Sequence, residues 1–195
     1  DSNPDMGAYE NSFGSQLVSF TDDSFRVAIN EALGDSADHQ PTAEEMGTIT
    51  SLDASDREIS DITGAEYLIN CTALWLNSNQ ISDITPVSYL TNLIELNLSS
   101  NQISDITPVS NLTNLLRLNL GGNQISDFTP VSNLTNLTHL WLTNNQISDI
   151  SPVSGLTDLT DLFLSTNQIS DMYPLVANDR FGSWDKITLD PYPIP

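Results

Sequence analysis

The sequence predicts a solenoid of short stacked coils, each of which contributes one strand to a parallel β-sheet. Two observations predict this fold: asparagines that recur every 22 residues, and an apolar pattern that recurs with them. The repeated asparagines are Asn79, Asn101, Asn123, Asn145 and Asn167. One coil cannot bury its own apolar face, whereas stacked coils can, so each coil must contact its neighbours.

The apolar pattern within one coil locates its strand. The coil that begins at Leu93 reads Leu-x-x-Leu-x-Leu-x-x-Asn-x-Ile, which is the leucine-rich repeat frame. Residues alternate between the two faces of a strand, so Leu96 and Leu98 point inward while Glu95 and Asn97 point outward. Each coil is therefore expected to add one parallel strand, and the asparagine after the strand is expected to bond backbone groups of the turn.

The second half of each coil predicts a short 3₁₀ turn in place of a long helix. It reads Asp-Ile-Thr-Pro-Val-Ser-x-Leu, and Ile106, Val109 and Leu112 are three residues apart. Asp105 can cap this turn, and Pro108 fits its start because no backbone N–H is needed there. The predicted fold class is a leucine-rich repeat solenoid of the α/β type, with a parallel β-sheet on the concave face, 3₁₀ turns on the convex face and a helical N-terminal cap.

The chain before the repeats predicts the cap that covers the open end of the core. Residues 1–19 are polar and aperiodic, which predicts a flexible or linker arm. Residues 20–48 contain a helix with Asp22 as its N-cap and Gly34 at its end, followed by a capping box from Thr42 to Glu45. The apolar face of this helix consists of Phe25, Ala28, Ile29 and Leu33. The exposed end of a solenoid requires such a cover.

The repeats are predicted to span residues 49–178, and a C-terminal cap is predicted at residues 179–195. A last strand around Ile187 falls three residues later than the period requires. Phe181, Trp184 and Tyr192 are expected to cover the core, and the prolines near the end of the chain discourage further strand pairing. We expect a monomeric solenoid of six or seven coils.

One repeat also carries a resemblance to a known family. Residues 101–115 read Asn-Gln-Ile-Ser-Asp-Ile-Thr-Pro-Val-Ser-Asn-Leu-Thr-Asn-Leu. This sequence resembles the repeat of the bacterial internalin family, and the resemblance covers roughly residues 20–195. It implies a non-enzymatic, extracellular binding solenoid that is secreted or held at the bacterial cell surface. It does not imply the ligand of any one member.

The composition of the chain excludes some classes of binding partner. The formal net charge of −21 argues against nucleic acid and anionic membranes, because both would be repelled. Such a charge would suit a basic partner, divalent cations or a salty medium, and it also promotes solubility. No segment is long and apolar enough to span a membrane. The single cysteine, Cys71, takes the place that Leu93 holds in the next coil, which predicts a buried apolar role. A start at Asp1 is typical of a mature or trimmed fragment.

The concave face is the predicted binding surface. Outward positions of the strands do not build the coil, so exposed aromatic side chains there indicate binding anchors. The predicted partner-binding residues are Trp75, Glu95, Asn97, Arg117, Asn119, His139, Trp141, Asp161 and Phe163. A protein partner is the main hypothesis. A carbohydrate that stacks on the aromatic rings is the alternative, and a structural spacer in a larger surface protein is a third. Stabilisation of cross-strand pairs is the other explanation of the aromatic residues, and binding is favoured over it.

Catalysis, metals and cofactors are not predicted. The chain has two histidines and lacks a Gly-rich phosphate loop and a zinc-type His/Cys cluster. Asp35, Asp38 and His39 lie between the two cap helices, but they lack the ligand and glycine pattern of an EF-hand. The aspartate that recurs in every coil is explained by capping without a cation.

Overall fold

The computed structural model describes residues 16–176 and 186–188. A helix α1 at Asp23–Leu33 and a short helix α2 at Ala43–Met46 precede the repeats. Six strands then alternate with 3₁₀ turns, before a short helix α3 at Tyr173–Val176 and a last strand β7 at Lys186–Thr188. The six strands are β1 Ser51–Asp53, β2 Ala73–Trp75, β3 Glu95–Asn97, β4 Arg117–Asn119, β5 His139–Trp141 and β6 Asp161–Phe163. The 3₁₀ turns lie at Ala65–Tyr67, Thr85–Tyr89, Thr107–Val109, Thr129–Asn133 and Ser151–Gly155.

The seven strands form one sheet in the order of the chain, and every neighbouring pair is parallel. The register aligns equivalent positions of successive coils, so that Asn97 pairs with Asn119 and Asn119 with Trp141. The late last strand is also in register, because Phe163 pairs with Thr188. Outward residues at equivalent positions of the strands therefore form columns across the sheet. The central column consists of Asp53, Trp75, Asn97, Asn119, Trp141, Phe163 and Thr188.

The core is a continuous stack of leucine, isoleucine and valine beneath the sheet. The inward leucine of each of the first six strands is at most 2% exposed. These residues are Leu52, Leu74, Leu96, Leu118, Leu140 and Leu162. Cys71 is fully buried in the same frame, as predicted, and burial raises the pKa of its thiol to about 11. The thiol therefore acts as a small apolar core group.

The repeated asparagines tie each coil to the one before it. Asn101 donates from Nδ2 to the carbonyl oxygens of Leu98, in its own coil (3.1 Å), and of Leu76, in the preceding coil (2.9 Å). Its Oδ1 accepts from the backbone N–H of Ile81 at 3.0 Å. Asn79, Asn123, Asn145 and Asn167 repeat this arrangement. The first coil has Arg57 at this position, so the ladder begins at Asn79.

The recurring aspartates cap the turns in the predicted way. Asp105 Oδ1 accepts from the backbone N–H of Thr107 at 2.8 Å. Hydrogen bonding from the hydroxyl of Thr107, and then from its N–H, holds the pKa of Asp105 below its ordinary value. The equivalent aspartates of the other coils accept from the backbone N–H two residues on. Five coils hold a non-glycine residue at positive φ just before the ladder position: Asp56, Ser78, Ser100, Asn144 and Thr166. In the remaining coil, between those of Ser100 and Asn144, Gly122 takes that position at φ 70°.

The helical cap follows the sequence prediction at both helices. Asp22 Oδ1 caps α1 by accepting from the N–H of Phe25. Its Oδ2 accepts from the N–H of Ser60 in the first coil at 2.8 Å, so one carboxylate joins the helix to the solenoid. Gly34 ends α1 at φ 78°, and the capping box of Thr42 and Glu45 begins α2.

The packed part of the cap begins earlier than residue 20. Leu17 forms an antiparallel bridge with Thr42, and Val18 is only 3% exposed. The N–H of Val18 donates to the carbonyl oxygen of Pro41 at 2.8 Å. Residues 16–18, which the sequence placed in the arm, thus pack against the cap. The aromatic residues predicted to form the C-terminal cap, Phe181, Trp184 and Tyr192, lie outside the described residues.

Candidate functional site

The strongest feature of the concave face is an aromatic stack on β5 and β6. Trp141 and Phe163 are paired in the sheet register, and their rings lie 5.6 Å apart with only 5° between the ring planes. His139 stacks on Trp141 as well, with ring centroids 5.6 Å apart and planes 25° apart. Parallel rings at these separations have the offset geometry that aromatic pairs prefer. All three residues remain partly exposed.

The imidazole of this stack is held by polar neighbours. His139 Nε2 lies 3.3 Å from Asp161 Oδ2 on the next strand. Its Nδ1 lies 2.9 Å from the hydroxyl of Thr138, and the hydroxyl of Thr160 donates to Asp161 Oδ2, also at 2.9 Å. These contacts restrict the rotamers of His139 and Asp161 beside the stack, so the group is ordered before any partner arrives.

A second group lies on β2, β3 and β4. The indole Nε1–H of Trp75 donates to Glu95 Oε1 at 2.9 Å. The other carboxylate oxygen of Glu95 lies 3.6 Å from Arg117 Nη1. The side chains of Arg117 and Glu95 are 50% and 33% exposed, so this ion pair contributes less than about 1 kcal/mol to stability. The ion pair mainly positions the side chain of Arg117, which lies on β4 between Trp75 on β2 and Trp141 on β5.

Asn97 and Asn119 separate the two groups in the central column. Asn97 Oδ1 accepts from the N–H of Ser99 at 3.1 Å and from its hydroxyl at 2.8 Å. Asn119 Oδ1 accepts from the N–H of Gly121 at 3.1 Å. Neither Nδ2 group makes a hydrogen bond within the described ranges. The two asparagines therefore offer donors to a ligand, while their oxygens shape the turn after the strand.

The nine predicted site residues thus lie on one surface, where seven of them form two clusters and Asn97 and Asn119 lie between these clusters. Sequence analysis missed Thr138 and Thr160, which hold the histidine and aspartate. The sequence could have indicated them, since both stand one residue before a strand, at the position that Thr72 also holds before β2. Two other residues at this position, Ile94 and Leu116, are exposed by 41% and 39% and form an apolar pair at the edge of the same surface.

A second cluster of titratable side chains lies in the cap, away from the concave face. Asp35, His39 and Glu45 place one potential ligand atom each within 4.8 Å of one another. Asp38 lies next to this cluster in the sequence, but the third residue that the fold brings to Asp35 and His39 is Glu45. Backbone and hydroxyl hydrogen bonds from Thr42 hold the pKa of Glu45 below its ordinary value.

These features define a leucine-rich repeat solenoid with a helical N-terminal cap. The family described as Leucine Rich repeats (2 copies) matches residues 69–111, 91–133 and 135–176. An internalin from Listeria monocytogenes is 37% identical, with a TM-score of 0.79 over 82% of this chain and 47% of that one. Internalin C2 from the same species is 32% identical, with a TM-score of 0.57 over 90% of this chain and 98% of that one. A leucine-rich repeat protein of Leptospira interrogans is 25% identical, with a TM-score of 0.65 over 73% of this chain and 38% of that one. No curated protein matches.

The chain belongs to the internalin-like leucine-rich repeat proteins. It spans 47% of the length of the first internalin and 98% of the length of internalin C2. Proteins of this kind are generally non-enzymatic modules for protein–protein interaction. Within residues 16–176 and 186–188, no helix has the length and apolar character needed to cross a membrane.

Proposed function

We propose that this protein is a bacterial surface or secreted binding module that recognises a protein partner through its concave face. The observation that carries the proposal is the ordered group of His139, Trp141, Asp161 and Phe163 on two adjacent strands. Repeat geometry alone does not require large aromatic side chains at outward positions. Partly exposed aromatic residues in a polar surround are typical anchors of protein interfaces.

The rigidity of the surface supports the same proposal. Each strand is fixed by pairing with its neighbours, and the side chains of the aromatic group are held by stacking and hydrogen bonds. A partner would therefore order few groups on binding, which limits the entropic cost of association. One copy of the chain carries the whole surface, so binding by a monomer is sufficient.

Carbohydrate is the second candidate, and the ring geometry makes it weaker. Sugar stacking needs an open ring face. The ring of Trp141 already stacks on Phe163 and His139, and the indole of Trp75 is held by Glu95. The free Nδ2 donors of Asn97 and Asn119 are the observation that favours sugar hydroxyls. If the chain were only a structural spacer, neither the aromatic stack on β5 and β6 nor the group of Trp75, Glu95 and Arg117 would take part in binding.

The test is a binding screen of this chain against arrayed extracellular protein domains and polysaccharides. The double variant Trp141→Ala/Phe163→Ala is screened beside it. The matched control is Tyr89→Ala, since Tyr89 is an aromatic residue that is 64% exposed in a convex turn. Circular dichroism and urea unfolding establish that each variant is folded.

Each outcome separates the hypotheses. Binding of a protein domain that is lost in the double variant and retained in Tyr89→Ala supports the proposal. Loss of that binding on Arg117→Glu or Asp161→Lys as well would place these charged side chains in the interface. A polysaccharide that binds with the same aromatic dependence favours the carbohydrate module. Binding that survives in the double variant contradicts a concave site, and the absence of any hit favours the spacer.

A further inference from the structure

The loop between α1 and α2 brings three side chains with metal-binding atoms to one place. His39 Nε2 lies 3.7 Å from Asp35 Oδ2 and 3.3 Å from Glu45 Oε2. Asp35 and His39 come from the loop, whereas Glu45 comes from the first turn of α2. Among the described residues this is the one group of three or more His, Cys, Asp or Glu side chains with such spacing.

The cluster is held by the surrounding structure. The left-handed turn at Gly34 directs the chain out of α1 just before Asp35. Glu45 Oε2 accepts from the N–H and hydroxyl of Thr42, at 2.7 and 2.9 Å, which fixes the carboxylate towards the loop. The same oxygen, Oε2, is the one that faces His39 Nε2, so the capping hydrogen bonds also place the potential ligand atom. The positions of the potential ligand atoms are therefore set by the end of α1 and the start of α2, which the helical cap requires with or without a metal ion.

A buried polar side chain supports the loop from behind. Asn30 is 0% exposed, and its Nδ2 donates to the carbonyl oxygens of His39 at 3.0 Å and of Ala37 at 3.1 Å. Its Oδ1 is the single buried side-chain polar atom without a partner in the described part of the chain. Through Nδ2, the same amide fixes the backbone of the loop that carries Asp35 and His39.

The donor spacing fits a small transition-metal ion. Four ligands at about 2.0–2.1 Å in a tetrahedron stand about 3.3–3.4 Å apart. The separations of His39 Nε2 from Glu45 Oε2 and Asp35 Oδ2, at 3.3 and 3.7 Å, lie at this distance and slightly above it. An imidazole nitrogen among the ligands favours zinc or a related ion over calcium, which prefers six to eight oxygen atoms. The three side chains are 31–43% exposed, which leaves room for water at a fourth position.

We propose that Asp35, His39 and Glu45 form a site in the N-terminal cap for a divalent transition-metal ion such as Zn²⁺. The ion joins the end of α1 to the start of α2 and thereby stabilises the cap over the solenoid core. Neutral His39 supplies the lone pair of Nε2, and two carboxylates neutralise the charge of the cation. The alternative arrangement is a proton on His39 shared between the two carboxylates, with no affinity for metal.

The experiment uses the whole chain after removal of metals with a chelator. Isothermal titration calorimetry and thermal unfolding are measured with ZnCl₂, and with CaCl₂ and MgCl₂ for comparison. Cobalt(II) provides an absorption spectrum that reports tetrahedral coordination. The variants are His39→Gln and Asp35→Asn, and the matched control is Asp38→Asn, an exposed carboxylate in the same loop. Glu45 is left intact because its substitution would remove the capping box.

We expect one Zn²⁺ per chain and a rise in the thermal midpoint. His39→Gln and Asp35→Asn should each lower the affinity for Zn²⁺ by about tenfold or more, as loss of a metal contact does. Asp38→Asn should bind like the unsubstituted chain. The proposal is overturned if Zn²⁺ gives neither heat nor a thermal shift, or if both variants retain full affinity. Tighter binding of Ca²⁺ than of Zn²⁺ would overturn the assignment to a transition metal.

Discussion

The substitution Asn101→Asp tests whether the asparagine ladder holds the coils together. Asn101 is 9% exposed, and its amide donates to two buried carbonyl oxygens, those of Leu76 and Leu98. Aspartate has the same shape but no N–H donors, so both carbonyls lose this partner and face a carboxylate. Each carbonyl keeps one donor, because Asn79 also donates to Leu76 and Asn123 to Leu98. The substitution therefore removes two hydrogen bonds worth about 1 kcal/mol each, which gives about 2 kcal/mol before any charge repulsion.

That loss would be a large part of the stability of a domain, which is typically about 5–15 kcal/mol. The free energy of unfolding is measured by urea titration, with circular dichroism and tryptophan fluorescence as probes. The matched control is Asn111→Asp, because Asn111 is exposed and the net charge changes by the same amount. A loss for Asn101→Asp no larger than for the control would refute the structural role of the ladder.

The pH dependence gives a second test of the same substitution. Burial against two carbonyl oxygens should raise the folded-state pKa of the introduced carboxyl above its unfolded value. A group with a raised folded pKa adds stability that is complete below the unfolded pKa and is lost as pH rises through the folded pKa. The deficit of Asn101→Asp relative to Asn111→Asp should therefore shrink as the pH is lowered. A deficit that is constant with pH would contradict burial of the new carboxylate.

Three further predictions concern stability and reactivity. Asp22→Ala should cost about 2 kcal/mol in urea unfolding at pH 7, because a helix cap and the bonds to Ser60 are lost, and the exposed change Asp158→Ala should be nearly neutral. Partial burial raises the pKa of Asp22, but the hydrogen bonds from Ser60 and Phe25 outweigh it and hold the pKa below its ordinary value. This difference should therefore shrink as pH falls through the folded pKa, and a difference that stays constant into acid would contradict the assignment. The thiol of Cys71 should react with a disulfide reagent at pH 8 only when urea unfolds the chain, and fast labelling of the native protein would show that it is not buried. Gly122→Ala should cost about 1 kcal/mol, since a Cβ at φ 70° is strained while its nearest contacts, at 3.4 Å, are ordinary; an unchanged midpoint in urea would contradict the strain.

The sequence by itself determined the solenoid, because its period decides which residues become neighbours. A shift of 22 residues brings equivalent positions of adjacent strands together, and even the last strand, three residues late, pairs in the expected register. Capping by Asp22, the capping box at Thr42 and the burial of Cys71 also follow from local patterns. Local rules suffice there because each contact joins residues close in the sequence or one period apart.

Tertiary structure decided the features that depend on rotamers and on aperiodic segments. The strand register makes Trp141 and Phe163 neighbours, but it does not determine that their rings are nearly parallel or that the indole of Trp75 bonds Glu95. These arrangements depend on side-chain torsions, which a strand leaves free to choose among several rotamers. The cap illustrates the second case, since the packing of Val18 and the approach of Glu45 to His39 join segments that no repeat relates. Only the packing of α1, α2 and the first coil against one another brings these groups together.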